Sequence, residues 1–371
     1  MDLQPEQPEA VIVPLAPPAP VPPALTAADY RRHFFFGPFG LRAIWSLLIY
    51  IALVATLILS VNIVHRHIVA KRKQAAAAAQ AKASPATTAV AQPAAPKPNP
   101  NLPQPMRQMI LIEGLSFAAL YLFSLLMARI ERRRVAVYGL GGTSILPRFA
   151  IGAFWGLAAQ SILILCLHTF HYLTFDKLLL HGPAIAGWGA VQLLAFLLVG
   201  FVEEYMFRGY LQFTLYRGMV SIGNLFSPPR ARSTAFWIAA VLTSALFLAA
   251  HTGNSGETLL GLFQVFLAGI LFLVALWRTG SLWWAIGFHM SWDWAQSFLY
   301  GVPDSGGLFQ GRLFATHATG NVLYSGGTVG PEGSVLCIPI FLLAIVVVLF
   351  TKPSPQPPIE PLPPKAKPAT A

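Results

Sequence analysis

The chain has 371 residues, of which 55% are hydrophobic and only 11% charged. A soluble domain carries about 25% charged residues, so a soluble globular protein is excluded and an all-α, polytopic membrane bundle is expected. The formal net charge of +11 does not mark a nucleic-acid binder, because Lys and Arg gather beside apolar runs, where they set topology or meet anionic headgroups.

Residues 1–42 read as a Pro-rich N-terminal tail ending in the basic flank RRHFFFGPFGLR (31–42). The first apolar run starts near Ala43, too far into the chain and too long for a signal-peptide core. A first transmembrane helix is expected over 43–65, then an Ala/Pro-rich linker over 66–106. The first half of that linker has the composition of a short Ala helix, the second that of an extended spacer. The intramembrane core is expected over 107–300. A bilayer needs about 20 apolar residues per helix, and such runs fall at 43–64, 107–129, 149–171, 190–215, 235–254, 258–277, 281–300 and 334–351, about eight helices in all. The loop 301–333 is Gly-rich and polar and is expected outside the membrane, and 352–371 is a second Pro-rich tail. Loop Lys and Arg favour both termini in the cytoplasm, although the cluster RHIVAKRK (66–73) then sits on the opposite side, as if the first helix were an add-on that does not span. Cys166 and Cys337 both lie inside apolar runs, so no disulfide framework or zinc-thiolate motif is present.

A charge at mid-bilayer costs about 2.5–3.5 kcal/mol on insertion scales and persists only when paired, solvated or used. Three stretches stand out. FVEEYMFRGYLQ (201–212) holds Glu203, Glu204 and Arg208. Glu204 and Arg208 are i and i+4, acid first, and form a helical pair. Glu203 points elsewhere on the helix and is left unpaired, in the kind of site where a carboxyl serves as a general base. ALFLAAHTGN (245–254) holds His251 one turn after Phe247. SLWWAIGFHMSWDW (281–294) holds His289 with Asp293 at i+4, where a carboxylate fixes the tautomer and orientation of an imidazole. Each has a purely structural alternative: an interhelical hydrogen bond for either His, an ion pair for Glu204–Arg208, a headgroup contact for Asp293. Gathered on the core helices of one bundle, they look like an assembled acid/base or metal site.

EEYMFR resembles the EExxxR motif of the CPBP family, the intramembrane proteases related to the CAAX prenyl endopeptidase and including the Abi, bacteriocin-linked members. FLAAH resembles its FxxxH motif and HMSWD its HxxxN/D motif, in the family's order and each on its own apolar segment. The resemblance covers about 145–300. It implies peptide hydrolysis in a membrane cavity, with a peptide or membrane-protein substrate. Glu203 would activate water, His251 would hold that water or a metal, His289 oriented by Asp293 would polarise the carbonyl, and Glu204 with Arg208 would hold the geometry. Asp293 stands where the prenyl-protease branch has Asn, and an ionised Asp lacks the amide donor. Two His and one Glu suit zinc, but HExxH is absent, so a zinc and a metal-free mechanism both remain open. With ideal helices the two His would lie several ångström apart in depth. Two rival readings stand beside the protease: a non-catalytic scaffold or bacteriocin-immunity member, and a proton-coupled transporter, although no internal repeat is visible. The bacterial inner membrane is the expected location.

Overall fold

The computed structural model describes residues 33–37, 40–83, 103–226 and 228–353. The two tails over 1–32 and 354–371, and the spacer half of the linker over 84–102, lie outside the described residues.

The structure is a helical bundle. In chain order it contains α1 (Ala43–Ala83), α2 (Met106–Ile130), α3 (Ile145–Thr169), α4 (Pro183–Glu203), a π-helical segment (Glu204–Leu211), α5 (Gln212–Phe226), α6 (Ala231–His251), α7 (Leu259–Thr279), α8 (Trp283–Trp294) followed by a second π segment (Ala295–Leu299), and α9 (Cys337–Phe350). Among the described residues, six helices are long and apolar enough to cross a membrane: α1 over Ala43–Ile63, α2, α3, the continuous Pro183–Phe226 run, α6 and α7. Of the eight expected, the last two are short. α8 has 12 residues before its π segment and α9 has 14.

Contacts between loops sort the helix ends into two sets. At one end Leu282 N donates to Gly139 O (2.9 Å), Arg148 Nη1 to Ser281 Oγ (3.2 Å) and Arg278 Nε to Thr351 O (2.8 Å). At the other, strand Leu173–Leu178 pairs antiparallel with strand Phe314–Ala318, and Gln104 N donates to Leu308 O (2.7 Å). α8 therefore starts at the first end and finishes at the second, and α9 returns, so both traverse the bundle despite their length. Arg129, Arg132, Arg134, Arg148, Arg230 and Arg278 all belong to loops or helix termini of the first end, which is called the arginine-rich end below.

α1 contains the expected span, Ala43–Ile63, and extends beyond it. It does not stop near residue 65 but runs unbroken to Ala83, because the Ala-rich stretch has the highest helix propensity available and no proline until Pro85. It is anchored to the bundle near its start. Arg217 on α5, buried, donates to Leu41 O (2.9 Å) and Ser46 Oγ (2.9 Å) and pairs with Glu131 (3.4 Å). The Tyr50 and Tyr210 rings stack at 3.8 Å.

α8 is held by close backbone packing. A Cβ on Gly152 of α3 would fall 2.1 Å from Trp284 O, one on Gly156 2.2 Å from Phe288 O, and one on Gly287 2.2 Å from Phe149 O. Small residues four apart let membrane helices approach this closely. α7 begins at Thr258, whose side chain accepts from Gly261 N. It ends at Gly280, whose φ of +68° suits the left-handed cap that turns the chain back into α8.

Candidate active site

The site is built where α4 passes into its π segment. Glu203 is the last residue of α4 and Glu204 the first of the π segment, so the i→i+5 bonding starts between the two carboxylates and Arg208. Short π segments inside α-helices re-aim side chains and recur at functional sites. Here the Glu204–Arg208 pair forms as the spacing predicts, with Arg208 Nη1 3.0 Å from Glu204 Oε1 and both side chains fully buried. The Arg208 guanidinium carbon sits 3.9 Å from the centre of the Phe247 ring and 5.2 Å from that of Phe272. A desolvated cation gains most from such ring faces.

The two glutamates do not part company as expected. Both reach the same imidazole, from opposite sides. His289 Nδ1 lies 2.9 Å from Glu204 Oε1, while Nε2 lies 3.6 Å from Glu203 Oε2 and 3.4 Å from Asp293 Oδ2. The ring stacks on Phe272, centroids 5.3 Å apart. The tautomer-fixing role expected of Asp293 therefore has a closer candidate in Glu204, and Asp293 shares Nε2 with Glu203. With a proton on each nitrogen the ring donates to Glu204 on one side and to Glu203 or Asp293 on the other. Glu203 keeps a quarter of its side chain exposed, whereas Glu204 keeps none.

These groups open into a cavity of about 450 Å³. Glu203, His251, His289 and Asp293 line it; Glu204 and Arg208 lie behind the wall. His251 is set apart. Its Nδ1 meets Phe247 O at 2.8 Å, its ring packs on Phe247 at 4.5 Å, and no hydrogen bond or ion pair joins it to Glu203, His289 or Asp293 among the described residues. Phe247 packs on both His251 and the Arg208 guanidinium.

Three further carboxyl groups line the same cavity: Glu113 from α2, and Asp304 and Glu332 from the 301–333 loop. The loop folds back over the bundle end, turning at Gly301, Gly306 and Gly330, all with positive φ. Fully buried Gln296, in the second π segment, accepts from Gln160 Nε2 (3.0 Å) and donates to Pro303 O (2.8 Å) and to Glu332. Ser297 Oγ donates to Asp304 Oδ2 at 3.2 Å, and Ser305 N donates to Glu332. Burial pushes the Asp304 carboxyl up to about 7, with His289 opposing the rise. Burial, then the neighbouring Asp304, pushes Glu332 well above the usual range. Loop composition carries no signal for either acid; only Glu113, an isolated charge in an apolar run, stands out in the sequence.

Among the described residues no group of three or more His, Cys, Asp or Glu side chains is arranged to hold a metal ion. His251, the second imidazole that a zinc set needs, makes no hydrogen bond or ion pair with His289 among the described residues.

Residues 185–295 match the family model of the type II CAAX prenyl endopeptidase Rce1-like proteins. The matched stretch runs from the start of α4 to the first residue of the second π segment and contains Glu203, Glu204, Arg208, His251, His289 and Asp293. It leaves out Glu113, Asp304 and Glu332. No curated protein and no solved structure matches the chain. The family is a protease family, and together with the six apolar helices the match supports an intramembrane protease and makes the chain an integral membrane protein.

Proposed function

We propose that this chain is an intramembrane endopeptidase that hydrolyses peptide bonds with water activated by Glu203. The observation that carries the reading is the 3.6 Å approach of Glu203 Oε2 to His289 Nε2 in the cavity wall, with the other face of the imidazole held by Glu204 at 2.9 Å. A base and an electrophile facing each other across one cavity are what amide hydrolysis requires.

In this mechanism Glu203 takes a proton from water as the oxygen adds to the scissile carbonyl. The negative charge that develops on the carbonyl oxygen meets the Nε2–H of His289. Collapse of the tetrahedral intermediate breaks the C–N bond, and the proton on Glu203 passes to the leaving amine. Glu204 and Arg208 act as positioning residues, since neither lines the cavity. Asp293 orients His289 from the Nε2 side, 3.4 Å from that nitrogen. His251 contacts the incoming peptide or its water. Were a zinc ion bound, Glu203, His251 and His289 would be its donors and it would supply an acidified water. The substrate is a peptide or membrane-protein segment.

The test compares membrane-protein N-termini by mass spectrometry between cells carrying wild type and Glu203→Gln, matched for expression and insertion. N-termini present only with wild type are expected. Indistinguishable sets would favour a non-catalytic family member.

A further inference from the structure

We infer that the cavity holds a subsite for a cationic side chain, built from Asp304, Glu332 and Gln264, and that the substrate segment carries a Lys or Arg about three residues from its scissile bond. The substrate half of this inference rests on the endopeptidase reading above; the affinity for a cation does not.

The charge on the cavity wall is one-sided. Among the described residues, Glu113, Glu203, Asp293, Asp304 and Glu332 line it together with the imidazoles of His251 and His289, and no Lys or Arg does. Glu203 and Asp293 face His289. Asp304 and Glu332 are held by neutral donors: Ser297 Oγ meets Asp304 Oδ2 at 3.2 Å, while Gln296 Nε2 and Ser305 N meet Glu332. Arg312, the one Lys or Arg within 301–333, donates to Gly301 O at 3.5 Å. Behind the wall the Arg208 charge is already matched by Glu204 at 3.0 Å. Two adjacent carboxyls taken out of water without a cation resist ionisation, and burial raises both. A guanidinium or ammonium group entering beside them takes the place of the proton and supplies the missing counter-charge.

Gln264 is an independent sign of a missing donor. Gly261, Gln264, Val265, Ala268 and Phe272 recur at helical spacing and all line the cavity, so one face of α7 looks into it. Gln264 is only 1% exposed. Its Nε2 donates to Ser334 O at 2.9 Å, two residues beyond Glu332, which fixes the orientation of the amide. Oε1 is then left with no hydrogen-bond partner among the described residues. An N–H brought in by a ligand satisfies such an acceptor.

Two helices place this subsite at the same distance from the reacting carbonyl. Phe272 stacks on His289, and Gln264 precedes Phe272 on α7 by about 12 Å of helix axis. Gln296, which holds Glu332, follows His289 by about 10 Å, away from the arginine-rich end. An extended peptide advances about 3.3 Å per residue, which sets the cation about three residues from the bond that His289 polarises.

Hexylguanidinium and hexylurea share a shape and differ in charge, so they probe the subsite without catalysis. Binding of each to the purified full chain in detergent is measured at pH 8 by isothermal titration, corrected for partition into empty micelles. Wild type is expected to bind hexylguanidinium about tenfold tighter than hexylurea, or more. Glu203→Gln should keep that ratio, and Asp304→Asn combined with Glu332→Gln should bring it within about twofold. Because those two carboxyls also hold the loop, Gln264→Lys gives a second arm. Its tethered ammonium fills the subsite, so the preference should vanish while the unfolding midpoint stays at or above that of wild type. Equal binding of the two compounds to wild type overturns the inference. So does a preference that survives Gln264→Lys, or one lost in Glu203→Gln and kept in Asp304→Asn with Glu332→Gln. The expected preference without wild-type-specific N-termini would sink the endopeptidase reading and leave the cation subsite. Wild-type-specific N-termini whose cleavage sites lack a Lys or Arg about three residues away would sink the substrate half alone.

Discussion

Glu204 and His289 meet across two helices, carboxylate Oε1 2.9 Å from Nδ1, in a contact that neither sequence motif contains by itself. The same oxygen takes Arg208 Nη1 at 3.0 Å. One buried carboxylate therefore neutralises a buried guanidinium and orients the imidazole that faces Glu203. Removing it breaks both. Glu204→Gln leaves Arg208 buried with no counter-charge, a loss of about 3–5 kcal/mol for such pairs, and thermal unfolding in detergent should show a clear fall in midpoint. Glu204→Gln combined with Arg208→Met should recover much of the stability and none of the proteolysis. A double variant as active as wild type would remove Glu204 from the positioning role.

Glu203 carries no such structural duty. Its side chain is a quarter exposed, and among the described residues it joins no buried ion pair apart from its approach to His289. Glu203→Gln should unfold at the wild-type temperature while cleavage falls by about 10²–10⁴-fold, the usual contribution of a general base. A variant that loses stability and activity in step would make Glu203 another structural carboxylate.

Asp293 ranks between them. Since Glu204 already fixes Nδ1, Asp293→Asn leaves His289 oriented and supplies an amide donor near Nε2. Cleavage by Asp293→Asn should therefore exceed that of Glu204→Gln with Arg208→Met in the same assay. The reverse order would make Asp293 the group that sets the imidazole.

The returning loop should respond to pH. Asp304 rises to about 7 on burial, from an unfolded value of about 3.9, and Glu332 moves the same way. A carboxyl whose docked value is raised holds a proton that the released form gives up, so docking weakens as pH climbs through this window. The stabilisation is present in full below about 4 and gone above about 7. Hydrogen exchange over 301–336, corrected for intrinsic rates, should show less protection at pH 8 than at pH 5. In Asp304→Asn the difference should shrink. Equal protection at both pH values in wild type would refute a proton-held loop.

What the sequence makes legible is whatever depends on spacing within one helix. Glu204 with Arg208, and His289 with Asp293, sit at i and i+4 and do meet. What it hides depends on how helices register against one another. The convergence of Glu203 and Glu204 on one ring needs the π segment, which no residue pattern announces. Asp304 and Glu332 sit in a Gly-rich stretch without periodicity, and only the folded return through Gln296 and Ser297 brings them to the cavity. The run of α1 to Ala83 is legible in its alanines, whereas its end is masked by the Pro-containing composition that follows.

The register of α8 supplies a last prediction. His289 owes its position to the fit of Gly287 against Phe149 and of Gly152 and Gly156 against Trp284 and Phe288, where an added Cβ would lie 2.1–2.2 Å from a carbonyl oxygen. That is too close for a methyl to be absorbed by a side-chain shift, because the obstacle is backbone. Gly287→Ala should push α8 away from α3, at a cost of about 1–3 kcal/mol for overpacking. His289 would be carried with it, two residues further along the same helix. Cleavage should then fall more steeply than the unfolding midpoint does, whereas Gly187→Ala, where nothing lies within 4 Å of an added Cβ, should change neither. If Gly287→Ala cleaves like wild type, the α3–α8 contact does not position the imidazole.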